Sequence, residues 1–244
     1  LALRVARLLE PLTAFPIDEG EPWADQALAD LRAMTPTARA HWIALLDQCR
    51  RIRGLAPTKS WRQAVAPIVE GIGPSGVRER LLVWFPLVDL PRPMPSPPPK
   101  WNPTYELDFI WVHHAEALKG LCWAAALHED EELARALAAL AVSAYRKTPG
   151  SGPRAVKVGN AAVAALGSMP GRVAIAHLAM LRAKIKFGTA QRLVTASLAA
   201  AADREGLPAA EIEEIGAPTF GFAEVGRAER QFGESRASLS IDGV

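Results

Sequence analysis

The sequence predicts an all-α fold of HEAT-like stacked helix pairs (α-solenoid-like) in two halves, with a short C-terminal β segment. Half of the 244 residues are hydrophobic, and many of these are Ala and Leu, which are strong helix formers. Apolar residues recur at intervals of three and four, which is the period of an amphipathic helix. Tight Gly and Pro turns separate short helical stretches, an arrangement typical of solenoids built from helix pairs.

The apolar stripes and the turn residues place the helices along the chain. One stripe runs from Trp42 to Ile52 and another from Ile175 to Ile185. Thr35-Pro36 puts a capping residue before a proline at the first helical position, and Thr58 opens another segment. The predicted helices span residues 1–10, 23–34, 36–53, 59–70, 75–85, 106–128, 130–147, 154–167, 171–186, 188–205 and 209–215.

A proline-rich segment divides the chain. Residues 91–103 contain seven prolines, a composition that favours extended polyproline II and forbids helix. We therefore expect an N-terminal helical half at 1–90, a linker at 91–104 and HEAT-like repeats at 105–205. A stiff linker and a ligand for proline-recognising domains are both compatible with the composition.

The pattern changes in the last part of the chain. After Phe220, three short stretches alternate apolar and polar residues around glycines, at 220–225, 231–234 and 237–242. This alternation predicts one or two short strands, so residues 206–244 are expected to begin a following domain, possibly with a β-hairpin. Because the chain starts at Leu1 and stops soon after these strands, we expect it to be a piece of a longer protein.

Composition excludes several classes of protein. No apolar run approaches the roughly 18 residues that are needed to cross a bilayer, and no signal-peptide pattern is present, so no membrane partner is expected. Cys49 and Cys122 lie far apart in helical patterns, which argues against a disulfide framework or a Cys-based zinc site. We expect two buried thiols in a reducing cytoplasm.

Charge is distributed in blocks. Residues 133–202, which we call the basic block, contain ten cations and no Asp or Glu, whereas residues 203–244 contain nine acids and four bases. A one-sided block produces a local field that attracts anionic partners. Free N–H groups at the helix start after the Gly-rich turn add to this attraction. The residues predicted to bind an anion or a partner are Arg146, Lys147, Arg154, Lys157, Asn160, Arg182, Lys184 and Lys186.

One stretch matches a dinucleotide-binding motif by its letters. Gly71 to Gly76 reads G-x-G-x-x-G, which binds a dinucleotide between a strand and a helix of a βαβ unit. The preceding segment, Trp61 to Glu70, is predicted to be helical, and Pro86 interrupts the second strand that such a unit needs. We therefore expect a helix–turn–helix corner and no cofactor.

His113, His114 and Glu116 suggest a metal site at first sight. However, adjacent helix positions point about 100° apart, so the two imidazoles are not expected to share one ion. The chain has no H-E-x-x-H spacing, no nucleophile elbow, no Walker A sequence and no Cys in a protease signature. The sequence thus predicts no metal site, no catalytic residues and a protein that is not an enzyme.

Six stretches carry a family resemblance: 116–124, 145–161 (with Lys147-Thr-Pro-Gly-Ser-Gly-Pro-Arg154), 165–171, 181–187, 206–214 and 217–222. Through them, Trp111 to Gly243 resembles the helical region that precedes and enters the domain of unknown function 4132 in large bacterial proteins. Some members of that family are called molybdate-metabolism regulators, and some carry a WGR module. The resemblance implies HEAT-like helices and supplies no catalytic residues. Residues 1–104 resemble no family.

These observations favour a non-enzymatic helical scaffold of a larger bacterial protein, which binds a protein partner, possibly an acidic one, through the basic block. Sequence-independent binding of nucleic acid or another anion, as part of a regulator, is the first alternative, although no aromatic stacking or recognition-helix signature supports base reading. An accessory part of an enzyme whose site lies elsewhere is the second. The cations also have a purely structural interpretation, in which they solvate one face or pair with the acidic flanks.

Overall fold

The computed structural model describes residues 15–93, 108–127, 129–148, 152–208, 211, 227–233 and 235–240. These residues form nine helices that pack against one another, and the predicted all-α class with a small β part is confirmed. The helices are α1 (Pro22–Ala33), α2 (Pro36–Cys49), α3 (Lys59–Ile72), α4 (Pro74–Leu87), α5 (Val112–Ala125), α6 (Glu131–Tyr145), α7 (Val156–Ser168), α8 (Arg172–Lys184) and α9 (Gly188–Glu205).

The helices are arranged in two layers. Helices α1, α4, α6 and α8 contact one another in that order, and α2, α5, α7 and α9 form a second series of neighbours. Consecutive helices such as α6 and α7, or α8 and α9, join the two layers. One hydrophobic core runs from Ile17 to Leu207, so the described parts on either side of the proline-rich segment share a single interior.

Most predicted helix positions agree with the structure, and the differences have local causes. The helix predicted at 106–128 is interrupted: Asp108 is helical, but Trp111 is extended, and α5 begins at Val112. The helix predicted to reach residue 147 ends at Tyr145. There Lys147–Thr148 (β1) pairs antiparallel with Gly152–Pro153 (β2). The helix predicted at 1–10 and nearly all of the one at 209–215 lie outside the described residues.

The corner between α3 and α4 confirms the interpretation of the glycine motif. Gly73 ends α3 and precedes α4, and its φ of +85° is a conformation that glycine adopts readily. Pro86 does not end α4, as the predicted boundary implied, but lies inside its last turn. The motif is thus a helix–turn–helix corner and does not follow a strand.

The predicted C-terminal strands are present as one antiparallel hairpin. Strand β3 (Arg227–Phe232) pairs with β4 (Ser235–Ser240), with Arg227 opposite Ser240 and a turn at Gly233. The predicted strand at 220–225 and most of the proline-rich linker lie outside the described residues. Among the helices that are described, none is both long and apolar enough to cross a bilayer.

Candidate partner-binding groove

A groove of about 1210 Å³ lies where α4, α6 and the connection from α8 to α9 meet. Helix α6 contributes most of one wall, and residues 184–188 contribute the other. Val142 on α6 is 39% exposed and presents an apolar side chain to the groove. The apolar lining includes Phe85, Ala136, Ala139, Leu140, Val142, Met180, Ile185 and Phe187.

Five cations border this apolar lining. They comprise half of the cations in the basic block, and among the described residues that line the groove, Asp89 is the one carboxylate. Burial of an apolar surface supplies affinity, while surrounding charges select the sign of a partner. The groove is therefore suited to a ligand that is apolar on one side and negatively charged on the other. The five cations are Arg135, Arg146, Lys147, Lys184 and Lys186.

The structure brings together four of the eight predicted binding residues in this groove: Arg146, Lys147, Lys184 and Lys186. Arg182 is exposed but lies outside the groove. Lys157 contacts the carboxylate of Glu116. Asn160 accepts a hydrogen bond from the Tyr145 hydroxyl through Oδ1 at 2.6 Å, so its side chain is engaged inside the fold.

Arg154 has an internal role in the structure. Its side chain is only 3% exposed, and its guanidinium donates to the carbonyl oxygens of Val88, Leu90 and Asp108. Burial lowers the pKa of Arg154, and the nearby Asp108 carboxylate opposes that effect. These bonds leave its guanidinium facing the protein interior rather than the groove.

Acidic residues outside the basic block neutralise part of it. Arg146, on the rim of the groove, lies 2.9 Å from Asp89 and 2.6 Å from Asp108. In the described part of the chain, five of the ten cations of the basic block pair with a carboxylate in this way. For these five, the interpretation that the cations pair with acidic residues of the same chain holds. The five are Arg135, Arg146, Arg154, Lys157 and Arg172.

A second polar cluster lies where the residues before α1 meet the start of α5. His113 and His114 were not expected to share one ion, but their ring centroids are 4.3 Å apart, and one ligand atom of each lies within 4.8 Å of the other and of one from Asp18. Burial and the neighbouring His114 hold the pKa of His113 below its usual range. Asp18 and Glu21 complete the cluster, and sequence reasoning missed both because they lie more than 90 positions away.

No protein-family model, no curated protein and no solved structure matches this chain. The resemblance to the region that enters the domain of unknown function 4132 therefore stays a prediction.

Proposed function

We propose that this chain is a non-enzymatic docking module that binds an acidic, amphipathic segment of a partner protein in the groove between α4, α6 and the α8–α9 connection. The observation that carries the proposal is the combination of an apolar floor with a rim of five cations. An amphipathic helix fits such a groove because its apolar face covers the floor while its carboxylates reach the rim.

Several of the rim cations are available to a partner. Lys147 and Lys184 are exposed, and neither has an ion-pair partner among the described residues. Lys186 is also exposed, and its ammonium donates one bond to the Ala183 carbonyl at 2.9 Å, which leaves further N–H groups for a carboxylate. These three lysines provide the charge complementarity that selects an acidic segment over a basic one.

A protein segment is favoured over nucleic acid for two reasons. The pairing of five block cations with carboxylates of the same chain removes much of the continuous positive field on which phosphate-backbone binding depends. The groove floor also offers aliphatic side chains such as Val142 and Met180, which suit leucines of a helix better than phosphates. Nucleic acid is accordingly one of the outcomes of the test.

We further propose that the module belongs to a larger bacterial protein and works in the cytoplasm. Cys49 and Cys122 support this placement, since both are free thiols with no exposed surface. Extracellular proteins commonly use cysteines in disulfides instead.

The test uses a labelled helical peptide of about 18 residues, with Leu at i, i+3, i+4 and i+7 and Glu on the opposite face. Fluorescence anisotropy near physiological salt measures its binding to the intact chain. The double variant Lys184→Glu/Lys186→Glu reverses two rim charges and should weaken binding at least ~10-fold. The matched variant Arg182→Glu/Arg192→Glu changes two exposed cations of the block outside the groove and should alter binding less than about twofold.

Two results would overturn the proposal. One is equal loss of peptide binding in both double variants, because the groove would then contribute nothing beyond the charge of the block. The other is tighter binding of a single-stranded or duplex oligonucleotide than of the peptide, with an affinity that falls steeply with salt. That second result would identify the module as a nucleic-acid binder.

A further inference from the structure

We infer that Asp18, His113 and His114 form a binding site for a divalent transition metal, best suited to Zn²⁺, where the segment before α1 meets the first turn of α5. Each residue offers one ligand atom, and these atoms lie within 4.8 Å of one another. Asp18 Oδ2 is 2.9 Å from His113 Nε2. Two imidazoles and one carboxylate, with water in the remaining positions, form a ligand set that zinc commonly takes.

Glu21 orients the more deeply buried of the two imidazoles. Its Oε2 lies 2.8 Å from His114 Nδ1, and the His114 side chain has no exposed surface. The same carboxylate accepts hydrogen bonds from the Trp23 indole N–H at 2.8 Å and the Trp111 backbone N–H at 2.6 Å. A carboxylate behind an imidazole favours the tautomer with its proton on Nδ1 and a lone pair on Nε2. Many metal-binding histidines have such a carboxylate hydrogen-bonded to the ring nitrogen that does not face the metal.

The lone pair of His114 Nε2 is already directed at Asp18. It accepts the Asp18 backbone N–H at 3.1 Å, a distance near the long end for such a bond. A metal ion at Nε2 would replace this neutral donor, and the exposed side chain of the same residue would supply the carboxylate ligand. Metal binding therefore requires a shift of the segment that carries Asp18.

The site is open to solvent and balanced in charge. The Asp18 side chain is 71% exposed, so an ion can reach its carboxylate from solvent without unfolding. The depression that His113 borders is lined by Arg50, Arg51 and Arg53, so we expect a cation to enter past Asp18 instead. Asp18 and Glu21 supply two negative charges, which offset the partial positive charge of the α5 N-terminus. The bound ion would join residues that are 95 positions apart and would stabilise the folded state by mass action.

The experiment uses tag-free protein stripped with a chelator. Zn²⁺ titration calorimetry should give one equivalent with a Kd of about 10 μM or tighter, and Co²⁺ should produce visible d–d absorption from an N/O site. Asp18→Asn and His113→Asn should each weaken Zn²⁺ binding at least ~10-fold. The Asp18 side chain is largely exposed and that of His113 is partly exposed, so we expect both variants to fold. His114→Ala is avoided because the His114 side chain is fully buried and its loss would destabilise the fold.

His41→Asn is the matched control, since His41 lies on α2 outside the cluster, and it should change the Kd less than about twofold. Absence of stoichiometric Zn²⁺ binding would overturn the inference. Zn²⁺ binding that is unchanged in Asp18→Asn and in His113→Asn would also overturn the inference, because the ion would then bind to other surface groups. The peptide-binding assay at the groove is independent of either result.

Discussion

Arg154 and Asp108 connect the two sides of the proline-rich segment. The Arg154 Nε lies 3.1 Å from the Asp108 carboxylate and donates to the Asp108 carbonyl. On the other side of the segment, Arg154 donates to Val88 O at 2.5 Å and to Leu90 O at 3.1 Å. One buried guanidinium thus fixes the points at which the chain leaves α4 and returns toward α5, and it also donates to the Ser143 hydroxyl on α6.

Replacement of Arg154 by Met should destabilise the fold by about 3–5 kcal/mol. The change removes the donor of three carbonyl oxygens, those of Val88, Leu90 and Asp108, in a region from which water is largely excluded. The Asp108 carboxylate loses one of its cations but keeps its contact with Arg146. Arg154→Lys keeps the charge but loses the planar fork, so its cost should be intermediate. Urea unfolding followed by tryptophan fluorescence gives the midpoint and slope from which the free energy of unfolding is obtained.

The control for this prediction is Arg192→Met, which removes an exposed arginine of the same basic block. Arg192 lies on α9 and has no ion-pair partner among the described residues, so its loss should change the free energy of unfolding by less than about 0.5 kcal/mol. Equal effects of the two substitutions would contradict the role of Arg154 as a buried connector.

The helices could be predicted from sequence because their signals are local. The Thr35 hydroxyl accepts from the Ala38 N–H, and the Thr58 hydroxyl accepts from the Trp61 N–H, three residues along in each case. Such caps, together with the apolar period, depend on neighbours within one or two turns. A boundary was wrong where a non-local pairing replaced the helix, as at Lys147, which was predicted to be helical but pairs with Pro153 in a short antiparallel ladder.

The candidate sites could be predicted only in part, since they depend on distant pairings. A count of cations identifies the basic block but does not say which of them faces solvent. Arg154 is buried and Lys157 is paired with Glu116, whereas Lys184 and Lys186 remain on the rim of the groove. The apolar floor was not predicted at all, because it is assembled from α4, α6 and the α8–α9 connection.

Gly120 allows α5 to lie directly against α2. A Cβ atom at this position would clash with the backbone and Cβ of Cys49, and neither atom is the flexible end of a side chain. Gly120→Ala should therefore force the helices apart and cost about 1–3 kcal/mol. Thermal unfolding followed by circular dichroism should show the loss as a lower Tm.

Gly188→Ala is the matched control for Gly120→Ala. Gly188 is the first residue of α9, and an added Cβ there would meet no atom within 4 Å. Alanine reduces the conformational freedom of the unfolded chain, so this variant should be neutral or more stable by up to about 1 kcal/mol. A Tm decrease of the same size in both variants would contradict close packing at Gly120.

Asp130 both caps α6 and pairs with α4. Its Oδ1 accepts the Leu133 N–H at 2.8 Å, and its Oδ2 accepts from Arg78 Nε at 2.7 Å. Burial disfavours the charged carboxylate, but these two donors outweigh that effect and hold the pKa of Asp130 below its usual range. Asp130→Asn retains an oxygen for the cap but loses the ion pair, so it should cost about 1 kcal/mol at pH 7.

The cost of Asp130→Asn should depend on pH in a defined direction. Because the pKa of Asp130 is lower in the folded state, the unfolded chain binds a proton first as pH falls. The difference in free energy of unfolding between wild type and variant should be constant above about pH 5 and should shrink as pH falls below about 4. Urea unfolding at steps from about pH 7 to about pH 3 measures it. Asp203→Asn, at an exposed position on α9, is the control at pH 7 and should change the free energy of unfolding by less than about 0.5 kcal/mol. An Asp130→Asn cost that is the same at both ends of the pH range would rule out stabilisation by the ionised carboxylate.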